Sequence, residues 1–196
     1  YAEDVSEFFN AITGHSHPDQ YQYLITSPRD MRRPLIELIR QEKANAQNGK
    51  QAAIFIKVNS LQDAESIQEL YSASQAGVRI ELIVRGICCL RPGRKGLSDN
   101  IRVRSIVGDF LEHSRIYYFH NQGNPQVYGG SADMMNRSFD RRVESLFKIT
   151  DPLILQQAIN ILRYNLLDNC NTYLMNEDGS YIKTQPAEGE EPFNLH

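Results

Sequence analysis

One strand-helix-strand pattern constrains the fold more than any other feature of the sequence. Residues 52–58 (AAIFIKV) form a near-continuous apolar run. Such a run marks a strand buried on both faces. Helical spacing follows over residues 63–76 and stops at Gly77. Residues 78–84 (VRIELIV) read as a second strand. A βαβ unit is parallel and right-handed, so the chain reads as an α/β fold. Open α/β sheets bind ligands at the carboxyl ends of their parallel strands. That edge falls on residues 85–100 (RGICCLRPGRKGLSDN), which hold three glycines, one proline and four basic side chains.

The remaining elements follow from period and punctuation. Residues 3–13 place Val5, Phe8, Phe9 and Ile12 at helical spacing, and Gly14 ends that helix. Residues 21–26 (YQYLIT) predict a strand. Ser27-Pro28 predicts a helix start, with Leu35, Ile36, Leu38 and Ile39 carrying the helix toward Gly49. Residues 101–107 alternate as a strand, and residues 115–119 and 126–129 predict a hairpin around Asn121 to Pro125. Residues 141–149 (RRVESLFKI) predict a strand, and Asp151-Pro152 opens a helix running to about Asp168. A last hairpin pairs Thr172 to Met175 with Tyr181-Ile182. Residues 1–20 are expected to be a linker helix ending a preceding domain. Residues 21–183 are expected to form the domain itself, and residues 184–196 a mobile acidic tail.

Composition sets the outer limits. With 196 residues, 41% of them apolar and 23% charged, the chain can bury a real core. No stretch approaches the ~20 apolar residues that a membrane helix needs. The chain begins at Tyr1, and no signal peptide follows. It is therefore expected to be a piece of a longer, cytoplasmic protein. Cys88, Cys89 and Cys170 show no metal-ligand spacing, and they are expected to be reduced and packed in the core.

Charge is uneven. Residues 79–142 carry 11 basic and 6 acidic side chains, a balance of +5, within a chain of net charge −3. Ten of those eleven are arginine, whose planar fork suits phosphate oxygens. A local basic segment in an acidic protein points to a local anionic ligand, not to coating of nucleic acid. His113 and Arg115 are two apart, so they share one face of an extended segment. An imidazole beside a guanidinium suits binding or transfer of a phosphoryl group. The plain alternative is a histidine satisfied by a backbone carbonyl. Asp140 and Arg142 would share a strand face, where Asp140 could orient an arginine or form a simple cross-strand ion pair. His15, His17 and His196 read as surface residues.

At this point the sequence resembles one family. The segments Val84-Arg85-Gly86-Ile87-Cys88-Cys89-Leu90-Arg91-Pro92-Gly93, Ser98-Asp99-Asn100-Ile101-Arg102-Val103, Leu111-Glu112-His113-Ser114-Arg115-Ile116-Tyr117, Ser131-Ala132-Asp133 and Asp140-Arg141-Arg142-Val143-Glu144 resemble the C-terminal part of polyphosphate kinases of the first family, in order and in spacing. The resemblance implies the second of two C-terminal, phospholipase D-like domains: an α-β-α sandwich with a mixed central sheet. It implies a parent that reversibly moves the terminal phosphate of ATP onto inorganic polyphosphate. Magnesium would accompany the nucleotide, and the phosphorylated histidine would lie on the preceding domain. It implies His113 as the second active-site histidine, with Arg85 and Arg142 lining the nucleotide and phosphate site beside Arg115. The partners implied are ATP or ADP, polyphosphate, the remaining parent domains and further copies of the parent, which is cytoplasmic or membrane-associated.

The phospholipase D pattern would read His113-x-Arg115 and Gly130-Ser131, with His120 in the slot usually held by aspartate. Asp109 stands where the family usually has arginine, and Met134 where it usually has tryptophan. These departures keep a second reading in view: a non-catalytic module that binds polyphosphate or mediates oligomerisation. A phosphodiesterase is a third reading.

Overall fold

The computed structural model describes residues 1–15 and 21–195. Helix α1 (Ala2–Ile12) precedes strand β1 (Leu24–Ser27) and helix α2 (Arg32–Gln47). The predicted βαβ unit follows as β2 (Ala53–Val58), α3 (Ala64–Gln75) and β3 (Arg79–Val84). Then come β4 (Ile101–Ile106), β5 (Arg115–Phe119), β6 (Gln126–Gly130), the short helix α4 (Asn136–Asp140) and β7 (Glu144–Lys148). Helix α5 (Pro152–Leu167) and the hairpin β8 (Thr172–Met175) and β9 (Tyr181–Lys183) complete the chain.

The nine strands form one mixed sheet in the order β1-β7-β6-β5-β2-β3-β4-β8-β9. β2, β3 and β4 are mutually parallel, and every other neighbouring pair is antiparallel. Alternation along the central strands feeds two cores. Ile54, Ile56, Ile80, Leu82 and Tyr117 join Leu35, Ile39 and Leu70 from α2 and α3. Ile83, Ile106, Ile116 and Val127 turn to the other face and meet Ala158 and Leu162 of α5. The architecture is the expected α-β-α sandwich around a mixed sheet. Asp63 caps α3 by accepting from Ser66 N, and Asp151 caps α5 by accepting from Leu153 N and Ile154 N.

Three local expectations are corrected. Ser27-Pro28 does not start a helix; Ser27 ends β1, and α2 starts at Arg32. The Ser27 hydroxyl donates to Arg142 O and accepts from Glu144 N, so it serves the sheet and not a cap. Residues 141–143 are not strand. The Arg141 and Arg142 amides both donate to Arg137 O, closing α4 and delaying β7 to Glu144. Asp140 and Arg142 therefore share no strand face. Finally, in the loop after β3, Cys88 is half-buried but Cys89 is exposed and not packed in the core. The tail folds back in part: Leu195 N donates to Asp168 Oδ2, and the Phe193 ring stacks on Tyr164. His17 and His196 lie outside the described residues, and His15 is exposed.

Candidate functional site

Strand direction gathers the candidate residues. The parallel strands β2, β3 and β4 end at Val58, Val84 and Ile106 on one edge of the sheet. Because β5 runs antiparallel to β2, its first residues start at that same edge, where Lys57 pairs with Ile116. β6 ends there, β7 begins there, and β1 ends there, with Ser27 opposite Glu144. Arg85, His113, Arg115 and Arg142 thus come to one edge from three separate segments, His113 and Arg115 sharing the one that opens β5. Two glycines permit the close approach. A Cβ on Gly86 would stand 2.9 Å from Asn59 O, and one on Gly130 would stand 2.1 Å from Ser145 O.

The four side chains are held differently. The Arg85 guanidinium makes no hydrogen bond or ion pair with a described residue. Its backbone is fixed by Ser105 Oγ donating to its carbonyl at 3.3 Å. His113 is exposed, and its imidazole likewise has no described partner. Arg115 donates from Nε and Nη2 to Asp133, each at 3.3 Å, and from Nη1 to His113 O at 2.7 Å. Asp133 also accepts from Asn59 N at 2.7 Å, so it locks Arg115 to the end of β2. Arg142, 57% exposed, stands 3.7 Å from the Glu144 carboxylate, a loose pair that leaves its fork open to solvent.

Sequence reasoning passed over Lys57. It lies in β2, 4% exposed, and donates to Ser114 O at 3.2 Å and Ser114 Oγ at 2.9 Å, with the Glu112 carboxylate at 3.4 Å. Burial pushes its ammonium below the usual lysine range, Glu112 opposes that, and Arg85 and Arg115 add to it. The signal was present as the one charge inside AAIFIKV. Asp133, the last residue of the Ser131-Ala132-Asp133 motif, has Arg115 as its ion-pair partner.

Other residues fall elsewhere. His120 sits at the far end of β5, where its amide donates to Ala53 O at the start of β2 and its Nδ1 is 3.1 Å from Tyr118 Oη. The slot seven residues after His113 therefore does not return to this edge. Asp140 pairs with Arg32, whose Nη1 and Nη2 donate at 2.9 and 2.7 Å, and the hydrogen bonds from Arg32 hold its carboxyl below the usual range. Asp140 thus orients no arginine of the candidate site. Asp109 is exposed in the loop between β4 and β5, on the candidate edge. Met134 is fully buried, and its carbonyl accepts from Gln62 N and Asp63 N. A groove of about 660 Å³ opens between β1, α2 and β6, and none of the four candidate residues lines it. Among the described residues, no three His, Cys, Asp or Glu side chains gather as a metal site. No described helix is long and apolar enough to cross a membrane.

The fold is that of the phospholipase D-like α/β domains. The phospholipase D family member Nuc from Salmonella typhimurium superimposes with a TM-score of 0.56 at 13% identity, over 78% of this chain and 96% of its own. The particular family is defined by sequence: a family model described as polyphosphate kinase C-terminal domain 2 matches residues 24–195. The polyphosphate kinase of Thermosynechococcus vestitus is 48% identical over 98% of this chain and 26% of its own length. That of Pseudomonas aeruginosa is 45% identical over 98% of this chain and 28% of its own. The crystal structure of polyphosphate kinase from Porphyromonas gingivalis superimposes with a TM-score of 0.93 at 38% identity, covering 98% of this chain and 29% of that one. The chain belongs to the polyphosphate kinase family, as its second C-terminal domain, and it spans about a quarter of the length of these relatives.

Proposed function

We propose that this chain supplies one wall of a phosphotransfer site in a polyphosphate kinase. The parent would move the terminal phosphate of ATP reversibly onto inorganic polyphosphate, through a phosphohistidine on the preceding domain. The observation that carries this reading is the convergence of Arg85, His113 and Arg142 at one sheet edge, with pinned backbones and open side chains. Phosphoryl transfer needs positioning and offset of oxygen charge more than covalent chemistry from the surrounding wall. The two arginine forks would grip terminal phosphate oxygens in bidentate fashion. The His113 imidazole would donate to a phosphoryl oxygen as charge develops on it. Arg115, engaged with Asp133, would turn its remaining N–H groups toward the same anion.

Magnesium would arrive on the nucleotide, as part of the Mg–ATP substrate. The parent is read as a cytoplasmic homo-oligomer. The second reading, a non-catalytic polyphosphate-binding or oligomerisation module, rests on Asp109, which puts a negative charge on the candidate edge.

Transfer assays on the parent separate the two. His113→Ala is expected to lower ATP-dependent polyphosphate synthesis by about 10²–10⁴-fold, the usual reach of a general acid. Normal synthesis in that variant removes the catalytic role of His113. A parent with no transfer in either direction favours the binding module.

A further inference from the structure

Within the proposed site, His113 has a fixed backbone and a free ring. Its carbonyl accepts from Arg115 Nη1 at 2.7 Å. Its two neighbours are tied below it. Ser114 accepts from Lys57 Nζ through both its carbonyl and its hydroxyl, while that hydroxyl donates to Glu112 Oε2 at 3.0 Å. Lys57 itself belongs to β2, a central strand hydrogen-bonded on both sides along its length. Together with Val58, Ile83, Arg85, Ile106, Glu112 and Asn165, it lines a small cavity beneath the edge.

We infer that Lys57 is the positioning residue for His113: its ammonium anchors the Glu112–Ser114 turn to the sheet, so that the imidazole faces the ligand from one fixed place. This deepens the reading of His113 given above and rests on it. A buried lysine is a costly choice for a merely structural tie, since an ammonium out of water must be matched by hydrogen bonds and an opposite charge. Here three acceptors match it, all within two residues of His113 on either side. The match also explains why an apolar side chain does not hold this place in an otherwise apolar strand. Lysine lowered in charge affinity by burial can still donate from its amine, so the tie to Ser114 survives deprotonation. Arg85 and Arg115 already supply fixed charge nearby, which leaves geometry as the function specific to Lys57.

The test is a mutant cycle on this chain, with polyphosphate as the titrant and circular dichroism to verify folding. Lys57→Met is expected to weaken polyphosphate binding about tenfold. In a His113→Ala background the same change should cost less than about twofold, because there is no ring left to position. Lys57→Arg should restore most of the affinity. Amide hydrogen exchange at residues 112–115 should speed up in Lys57→Met and return toward wild type in Lys57→Arg.

An equal loss in both backgrounds would overturn the inference, making Lys57 an independent charge. No loss at all would overturn it too. If Lys57→Met does not fold, Ser114→Ala removes one of its acceptors and must show the same coupling to His113; uncoupled losses would then overturn the inference. Should Arg85→Ala and His113→Ala both leave binding unchanged, the proposed site itself fails. Should both weaken binding while Lys57→Met does not, only the role of Lys57 fails.

Discussion

The three cysteines show how a residue's surroundings decide its chemistry. Cys88 is partly buried where its backbone bridges to Leu61, and burial raises its thiol to about 11. Its neighbour Cys89 is exposed. Thiolate is the reactive form. Because the raised Cys88 thiol stays protonated until the pH approaches about 11, it is nearly inert at pH 8. N-ethylmaleimide at pH 8, followed by peptide mass spectrometry, should label Cys89 well before Cys88; equal rates would contradict this account. The sequence places both cysteines just after β3 but does not show which of the two turns inward, so the expectation of core packing fails for Cys89. Lys57 is the opposite case. It was visible as a charge in an apolar run, yet its partners Glu112 and Ser114 lie more than fifty residues away, beyond any local pattern.

At the scale of elements, periodicity served well where burial is regular. β2, α3 and β3 fall within a residue or two of their predicted limits, because a doubly buried strand and an amphipathic helix write their period directly into the sequence. The misread segments are those ruled by distant hydrogen bonds. Ser27 finds its partners at Arg142 and Glu144, and the Arg-Arg-Val-Glu alternation is cut by the Arg137 carbonyl.

Helix α5 gives a quantitative check on the second core. Leu162 is 1% exposed among Ile83, Ile106 and Ile116, whereas Leu153 is 76% exposed. Leu162→Ala should cost about 2–5 kcal/mol in urea denaturation. Leu153→Gln should change stability by less than about 0.5 kcal/mol. Similar costs at the two positions would mean that α5 does not pack as described.

At the scale of the whole molecule, the chain spans about a quarter of the length of its relatives, and on the proposed reading its site is one wall. Arg85, His113 and Arg142 were legible as candidates because basic charge clusters in residues 79–142 and because the motifs around them resemble one family. Their convergence was not legible, since it depends on β5, β6 and β7 adding antiparallel to a parallel centre. On this account the covalent acceptor lies outside the chain. Incubation with Mg–ATP should therefore yield no phosphohistidine on it; labelling of His113 would contradict that.

The most direct test of the central claim is titration of polyphosphate and Mg–ATP into this chain, beside Arg85→Ala and His113→Ala. The account predicts salt-sensitive binding that weakens in both variants, as expected for an anion held by these side chains. Absent binding, or binding indifferent to both substitutions, would contradict it.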